Sequence, residues 1–302
     1  MLARSASSVQ RRAALGARIT AWQGSLQRGN IIRKEVPGRL AITSSVLKMD
    51  CASAQTEIID FIEKVVGDAG SRGALIGLSG GVDSAVVGSL CVRALGKERV
   101  VALLMPSEFT PAEDLEDAKG LAAGWGVRTH AVQITPLISQ FFSSVDIQGD
   151  RVANGNAQAR IRMAISYYYA NTLKLLVAGT GDRSEELVGF FSKFGDGGVD
   201  FLPIAHLYKT QVRELGRHLG IPKRIVDKSP SPRLWPGHLA VDELPVDYGK
   251  LDLILYCLHD VKMPPGVTAR EVGVDQSVVE EVVKMHRESM HKRSLPPMVR
   301  PW

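Results

Sequence analysis

Hydrophobic positions along the chain fall into short solid blocks separated by longer stretches with helical spacing. Gln55–Val66 carries Ile58, Ile59, Ile62, Val65 and Val66 on one stripe, the pattern of a helix with a single buried face. Ala74–Leu78 and Val100–Met105 are apolar without polar alternation, as strands are when helices cover both faces of a sheet. Val127–Ile134 and Leu175–Ala178 read as two further strands. Between them the pattern predicts helices from about Asp83 to Leu95, over Pro111–Gly124, and from about Asn156 to Leu173. The second of these opens with proline and places acids in its first turns, which suits the helix dipole. Strands alternating with helices of this length imply βαβ units and an α/β fold: a doubly wound, open parallel sheet flanked by helices.

Beyond Gly179 the periodicity breaks into a glycine-rich, charged stretch that still holds apolar pairs such as Phe190–Phe191. Helix returns over Leu207–Leu219, closed by Gly220 and Pro222. Ser229–Pro245 contains four prolines and reads as loop, and Tyr248–Leu258 and Ser277–Met290 are the last clear helices. No internal repeat and no second domain boundary is visible.

Charge changes the picture in one respect. The 302 residues carry a formal net charge of +5, which taken alone invites a nucleic-acid or membrane partner. Residues 1–48, however, hold 7 Arg and 2 Lys against the single acid Glu35, a net +8, so residues 49–302 carry −3. The first 34 residues are free of acids and interspersed with serine, the composition of an organellar transit peptide; the other reading is a start at Met49. The expected organisation is therefore a basic tail or transit-like segment over 1–48 and one folded body over 49–302. The expected location is cytoplasmic, or mitochondrial or plastid if the segment is a genuine transit signal. The body's charge makes nucleic acid an unexpected partner. No apolar run approaches the ~20 residues of a membrane span, so no membrane partner is expected either. Cys51, Cys91 and Cys257 are widely spaced without a CxxC, which argues against a disulfide scaffold or a zinc site and for a reducing compartment.

The sharpest chemistry lies in Gly77-Leu78-Ser79-Gly80-Gly81-Val82-Asp83-Ser84, between a predicted strand and a predicted helix. Paired glycines allow a tight turn whose successive N–H groups converge on an oxyanion, and the positive end of the next helix faces the same point. Ser79 and Ser84 add hydroxyl donors. A carboxylate at Asp83 would repel a bare phosphate and makes sense with Mg2+ between them. No GxxxxGK[ST] is present, so this is not the P-loop of kinases and GTPases.

This loop resembles that of the PP-loop, or N-type ATP pyrophosphatase, superfamily, an adenine nucleotide alpha-hydrolase-like fold. Its members cleave ATP between the α and β phosphates. Gly179-Thr180-Gly181-Asp182-Arg183-Ser184-Glu185, the run Gly189–Asp200, Leu207–Arg213 and the ending His291-Lys292-Arg293 are similar to NAD+ synthetases. The resemblance runs from about Gln55 to the C-terminus. It implies an enzyme, a ligase forming a carbon–nitrogen bond in the final step of NAD+ biosynthesis. The nicotinate carboxylate of deamido-NAD+ is activated as an adenylate, and ammonia displaces AMP. On the same resemblance Asp83 and Glu185 would bind Mg2+, and Asp83, Glu185 and Lys209 would carry catalysis. Residues 77–84 (Gly77, Leu78, Ser79, Gly80, Gly81, Val82, Asp83 and Ser84) would hold ATP together with Thr180, Lys209 and Ser231. Arg160, Lys193, Asp200, His291 and Lys292 would contact the dinucleotide, and the protein would be a homodimer.

Asp182 stands where many bacterial members have histidine, a form that looks archaeal-type. The other histidines, His238, His259 and His286 among them, show no ligand spacing and read as surface or capping residues. The loop Leu234-Trp235-Pro236-Gly237-His238 reads as a mobile cover. Glutamine-using members carry an added nitrilase-like domain, which the 76 residues before Gly77 do not accommodate. The expected nitrogen donor is free ammonia, or ammonia from a separate partner protein. Competing readings are a tRNA-modifying PP-loop enzyme and a nucleotide- or RNA-binding module without catalysis. The −3 body argues against the former.

Overall fold

A strand buried along its length needs cover on both faces. In the computed structural model, which describes residues 42–299, β1 (Ala74–Gly77) and β2 (Val100–Leu104) are buried almost throughout. With β3 (Arg128–Ala131) and β4 (Leu176–Ala178) they form a parallel sheet in the order β3-β2-β1-β4. Ala74 pairs with Val100 on one side and with Leu176 on the other. The chain thus winds outward from β1 to β3, then returns to lay β4 on the opposite side of β1. The doubly wound expectation is met, and the carboxyl ends of β1 and β4 flank the switch point where such sheets bind ligands.

The helices follow in chain order: α1 (Cys51–Asp68), α2 (Val82–Leu95), α3 (Ala112–Trp125), α4 (Thr135–Ser144) and α5 (Arg151–Leu173). After β4 come α6 (Arg183–Val188), α7 (Lys209–His218), α8 (Lys223–Val226), α9 (Tyr248–Leu255), α10 (Pro265–Val272) and α11 (Gln276–Glu288). Asp50 caps α1 by accepting from the Ala52 and Ser53 N–H groups, and the stripe Ile58, Ile62 and Val66 is buried. Side chains alternate across the sheet. Ala74, Ile76, Val100, Ala102 and Leu104 enter the core shared with α1, α2, α3 and α7. Leu75, Val101, Leu103 and Val177 face the other way, against Ala170 and its neighbours on α5. A separate cluster joins α6, α9, α10 and α11 into a helical lobe.

Two differences from expectation have physical causes. β3 stops at Ala131, well short of Ile134, because it is an edge strand: Arg128, Thr129 and Ala131 are exposed and only β2 pairs with it. Helices α6 and α8, six and four residues long, are too short for a periodic signal, and α4 and α10 carry proline in their first turn.

The basic segment expected over residues 1–48 lies, as far as residue 41, outside the described residues. From Ile42 the chain is bound to the lobe, Ile42 N–H donating to Glu271 O at 2.9 Å, and Leu47 is buried in its core. Among the described residues no helix is long and apolar enough to cross a membrane, and all three cysteines are free. Burial pushes the Cys91 thiol up to about 12 and Cys257 up to about 11, so neither is poised as a nucleophile.

Candidate active site

β1 ends at Gly77, and the turn that follows delivers the chain into α2 with Gly81 at its N-cap position. Gly80 adopts φ +80°, and a Cβ there would lie 2.1 Å from the Asp114 carbonyl oxygen, so only glycine fits this turn. The two serines brace it. Their hydroxyls are 3.1 Å apart, the Ser79 N–H donates to Ser84 Oγ at 3.2 Å, and the Gly81 N–H donates to Ser79 Oγ at 3.2 Å. Lys228, which no motif pointed to, donates to Gly80 O at 3.2 Å and to Asp114 Oδ1 and Asp117 Oδ2 at 2.7 Å each. Burial would lower its pKa, but the two carboxylates raise it above the ordinary lysine value.

Across the switch point the turn after β4 supplies the second half. Asp182 caps α6 by accepting from the Glu185 N–H at 2.9 Å, and Glu185 reaches back to the Asp182 N–H, a reciprocal capping box. Both carboxylates then meet Lys209, the first residue of α7. The Lys209 ammonium is 2.8 Å from Asp83, 2.9 Å from Asp182 and 2.8 Å from Glu185, and its side chain is 0% exposed. Burial works against this charge, yet the three carboxylates hold Lys209 well above its ordinary pKa. Burial pushes Glu185 well above the usual carboxylate range, with Asp182 and Asp83 adding to the push against the pull of Lys209. Behind this group the Ser184 hydroxyl donates to Asp252 at 2.5 Å and accepts from the Lys209 N–H at 2.9 Å. Asp252 also accepts from the Thr210 N–H at 2.8 Å, and burial raises it to about 6.

Three carboxylates against one ammonium leave a surplus of negative charge in a buried place. Asp83 Oδ1 and Asp182 Oδ2 are buried with no hydrogen bond, only the ion pair to Lys209. Hard oxygen donors with unspent charge fit a divalent cation. Among the described residues no group of three or more His, Cys, Asp or Glu could hold a metal by itself. Two carboxylates completed by ligand phosphates, as is usual for Mg2+, need no such group.

The cleft between the two halves has a volume of about 490 Å³. Gly77, Leu78, Ser79, Gly81, Val82 and Asp83 line it, as do Thr180, Glu185, Ser231 and Lys292. Gly80 and Ser84 shape the loop from outside the lining. Lys209 lies behind the carboxylates rather than on the cleft wall. Arg160, Lys193, Asp200 and His291 are also off the lining. Arg160 donates to Lys193 O at 3.2 Å and Lys193 to His291 O at 2.6 Å, so these three share one surface cluster. Asp200 instead accepts from the Val177 N–H at 2.7 Å and the Tyr167 hydroxyl at 3.2 Å, beneath β4. Lys292 donates to Gly189 O at 2.7 Å and Phe191 O at 2.8 Å. Arg162, two residues from Arg160 and so on a different face of α5, lines the cleft, and burial lowers it to about 10.

The proline-rich segment covers one side of this space. Gln158 of α5 donates to Leu234 O at 3.0 Å, and the Trp235 ring stacks on His238 at 3.4 Å with Arg151 over it at 4.8 Å. His238 is 3% exposed, lines the cleft and bonds Glu243, so the expectation of a surface or capping histidine fails here. The stacked ring supplies the apolar cover that buries it. His259 and His286 likewise form a ring pair, 4.3 Å between centroids. Sequence reading also missed Lys228, Asp114, Asp117 and Asp252. The available signal was two acids three apart opening α3 and a lysine just before Ser229-Pro230.

The sequence profile of the NAD synthase family matches residues 54–296. The NH(3)-dependent NAD(+) synthetase of Hyperthermus butylicus is 49% identical over 255 residues, 84% of this chain and 92% of that protein. Among solved structures, the NMN synthetase from Francisella tularensis matches with a TM-score of 0.75 and 34% identity, covering 83% of this chain and 99% of that one. The NH3-dependent NAD synthetase from Campylobacter jejuni, solved with nitrate, matches with a TM-score of 0.72 and 31% identity, covering 83% of this chain and 100% of that one.

Proposed function

The chain belongs to the NAD synthase family, and on that premise we propose that it is an ammonia-dependent NAD+ synthetase: it amidates deamido-NAD+ with ammonia and ATP, giving NAD+, AMP and pyrophosphate. The observation that carries this reading is the convergence of Asp83, from the loop after β1, with Glu185, from the helix after β4, on one buried lysine. That convergence builds a phosphate loop and a cation-ready carboxylate pair on either side of one cleft.

The ATP phosphates would lie against residues 77–84, with Ser79 on the cleft wall and the Ser84 hydroxyl bracing the loop from behind. Asp83 and Glu185 would hold Mg2+, which would neutralise the polyphosphate and ease departure of pyrophosphate. Lys209 keeps the two carboxylates in register from behind. Thr180 and Ser231 border the nucleotide. Arg160, Lys193, Asp200, His291 and Lys292 are the candidates for the dinucleotide side. A nicotinate carboxylate oxygen attacks the α-phosphorus as the α–β bridging bond breaks. Ammonia then adds to the acyl carbon, loses a proton, and AMP leaves.

A homodimer is part of the proposal. Exposed apolar side chains follow one another along α4 and the turn after it: Leu137, Phe141, Val145 and Ile147. A run of this kind suits a second copy better than water.

The test is purified protein with ATP, Mg2+, ammonium and deamido-NAD+. NAD+, AMP and pyrophosphate should form in equal amounts, and more slowly with glutamine. At fixed total ammonium the rate should rise from neutral to alkaline pH, because only unprotonated NH3 attacks. Asp83→Ala should lower turnover by at least about 10²–10³. Faster amidation of the nicotinate mononucleotide than of the dinucleotide would overturn the substrate assignment. Absence of AMP formation would overturn the reaction.

A further inference from the structure

Within the turn that would receive the phosphates, the Gly80–Gly81 peptide is held on one side only, by the Gly81 N–H donating to Ser79 Oγ at 3.2 Å. A peptide plane aims its C=O and the following N–H in opposite directions. The Gly80–Gly81 peptide can therefore offer the cleft either an N–H or a carbonyl oxygen, and only the first suits an anion. Gly80, at φ +80°, has no side chain to bias the choice.

Lys228 holds the other side, at the carbonyl. With the Gly80 carbonyl drawn to its ammonium at 3.2 Å, the Gly81 N–H is turned the other way, toward Ser79 Oγ and the cleft. The other two ammonium protons go to Asp114 Oδ1 and Asp117 Oδ2 at 2.7 Å, so all three donors are in use. Those acids are themselves fixed. They are 5% and 6% exposed, on the first turns of α3, whose Asp114 carbonyl oxygen fills the space a Cβ on Gly80 would need. Arg233 of the cover segment donates to Asp114 at 3.1 Å and Arg224 to Asp117 at 2.7 Å, which completes a clasp of alternating charge.

We infer that Lys228 is a positioning residue: anchored by Asp114 and Asp117, it holds the Gly80 carbonyl away from the cleft so that the Gly81 N–H faces the phosphates of ATP. The inference rests on the reading of this loop as the ATP site.

Calorimetric titration of ATP and of pyrophosphate, each with Mg2+, into the wild type and three variants tests it. Lys228→Met should weaken both ligands by about 10- to 100-fold, the equivalent of one charge-assisted hydrogen bond. The KM for ATP should rise accordingly while the KM for deamido-NAD+ stays put. Lys228→Arg, which can still donate to a carbonyl, should recover most of the loss. Asp114→Asn separates a clasp from a direct phosphate ligand. A loosened clasp weakens pyrophosphate binding, whereas freeing a lysine that touches phosphate would tighten it. Tighter binding by Asp114→Asn, or wild-type affinity in folded Lys228→Met, overturns the inference. If Lys228→Met does not fold, Lys228→Arg and Asp114→Asn decide by the same criteria. Wild-type protein that binds neither ATP nor pyrophosphate would remove the ATP reading and this inference with it.

Discussion

At the scale of single residues, Lys209 is the position on which most depends. Its ammonium meets three carboxylates drawn from two helices, and none of its side chain reaches solvent. Removing one partner of a buried ion pair leaves uncompensated charge, at a cost of about 3–5 kcal/mol. Lys209→Met should therefore lower unfolding free energy by about that amount in urea titration at neutral pH. A change below about 1 kcal/mol would mean that the carboxylates are already protonated and the ion-pair description is wrong. The presence of a lysine here was legible in the Leu207-Tyr208-Lys209 run, but its burial was not. Burial follows from Asp83 and Glu185 meeting across the switch point, and nothing local to Lys209 encodes that meeting. Arg160 and Arg162 make the same point in reverse. The motif favours the first, while the helix face turns the second into the cleft.

At the scale of elements, α1 was readable from its buried stripe, and α2 and α3 from the glycines Gly96 and Gly126 that close them, whereas α5, capped by Asp150, starts at Arg151, five residues before the pattern predicts. The end of α9 was not readable either. Past Leu255 the helix widens into a π-turn over Tyr256–Asp260, which sets His259 beside His286 of α11. Burial first, then His286 and the cations Lys262, Arg183 and Arg293, depress His259 to about 4. An unfolded chain protonates this ring near 6.5. Between those values the unfolded state holds more protons, so this residue's contribution is full above about pH 6.5 and is lost as pH falls toward 4. His259→Gln should shrink the drop in denaturant midpoint between pH 7 and 4.5. His206 and His238, also pushed down by burial, should retain the remainder. An acid limb unaltered by the substitution would rule out the ring pair as a source of acid sensitivity.

At the scale of the molecule, the charge imbalance and the sheet order tell different stories. The first 48 residues carry +8 and the rest of the chain −3, while the cations lining the cleft are few: Arg162, Lys228, Arg233 and Lys292. The proposed dimer face is apolar instead. Ile147, 76% exposed, should tolerate Ile147→Asp without loss of melting temperature, yet the charge should split the dimer in light scattering at micromolar concentration. A wild type that is already monomeric there would dispose of the dimer. The sheet order was legible as a class but not as a sequence of events. Ala74 finds Val100 a short way along the chain, whereas its other neighbour, Leu176, arrives only after β3 and the whole of α5. Loop closure over that span costs more entropy than joining β1 to β2, so the β1–β4 seam is expected to form later. A chain folded in that order would hold the turn after β1 before it gained the carboxylates opposite, and a ligand bridging the two would act as a template for the last strand to dock.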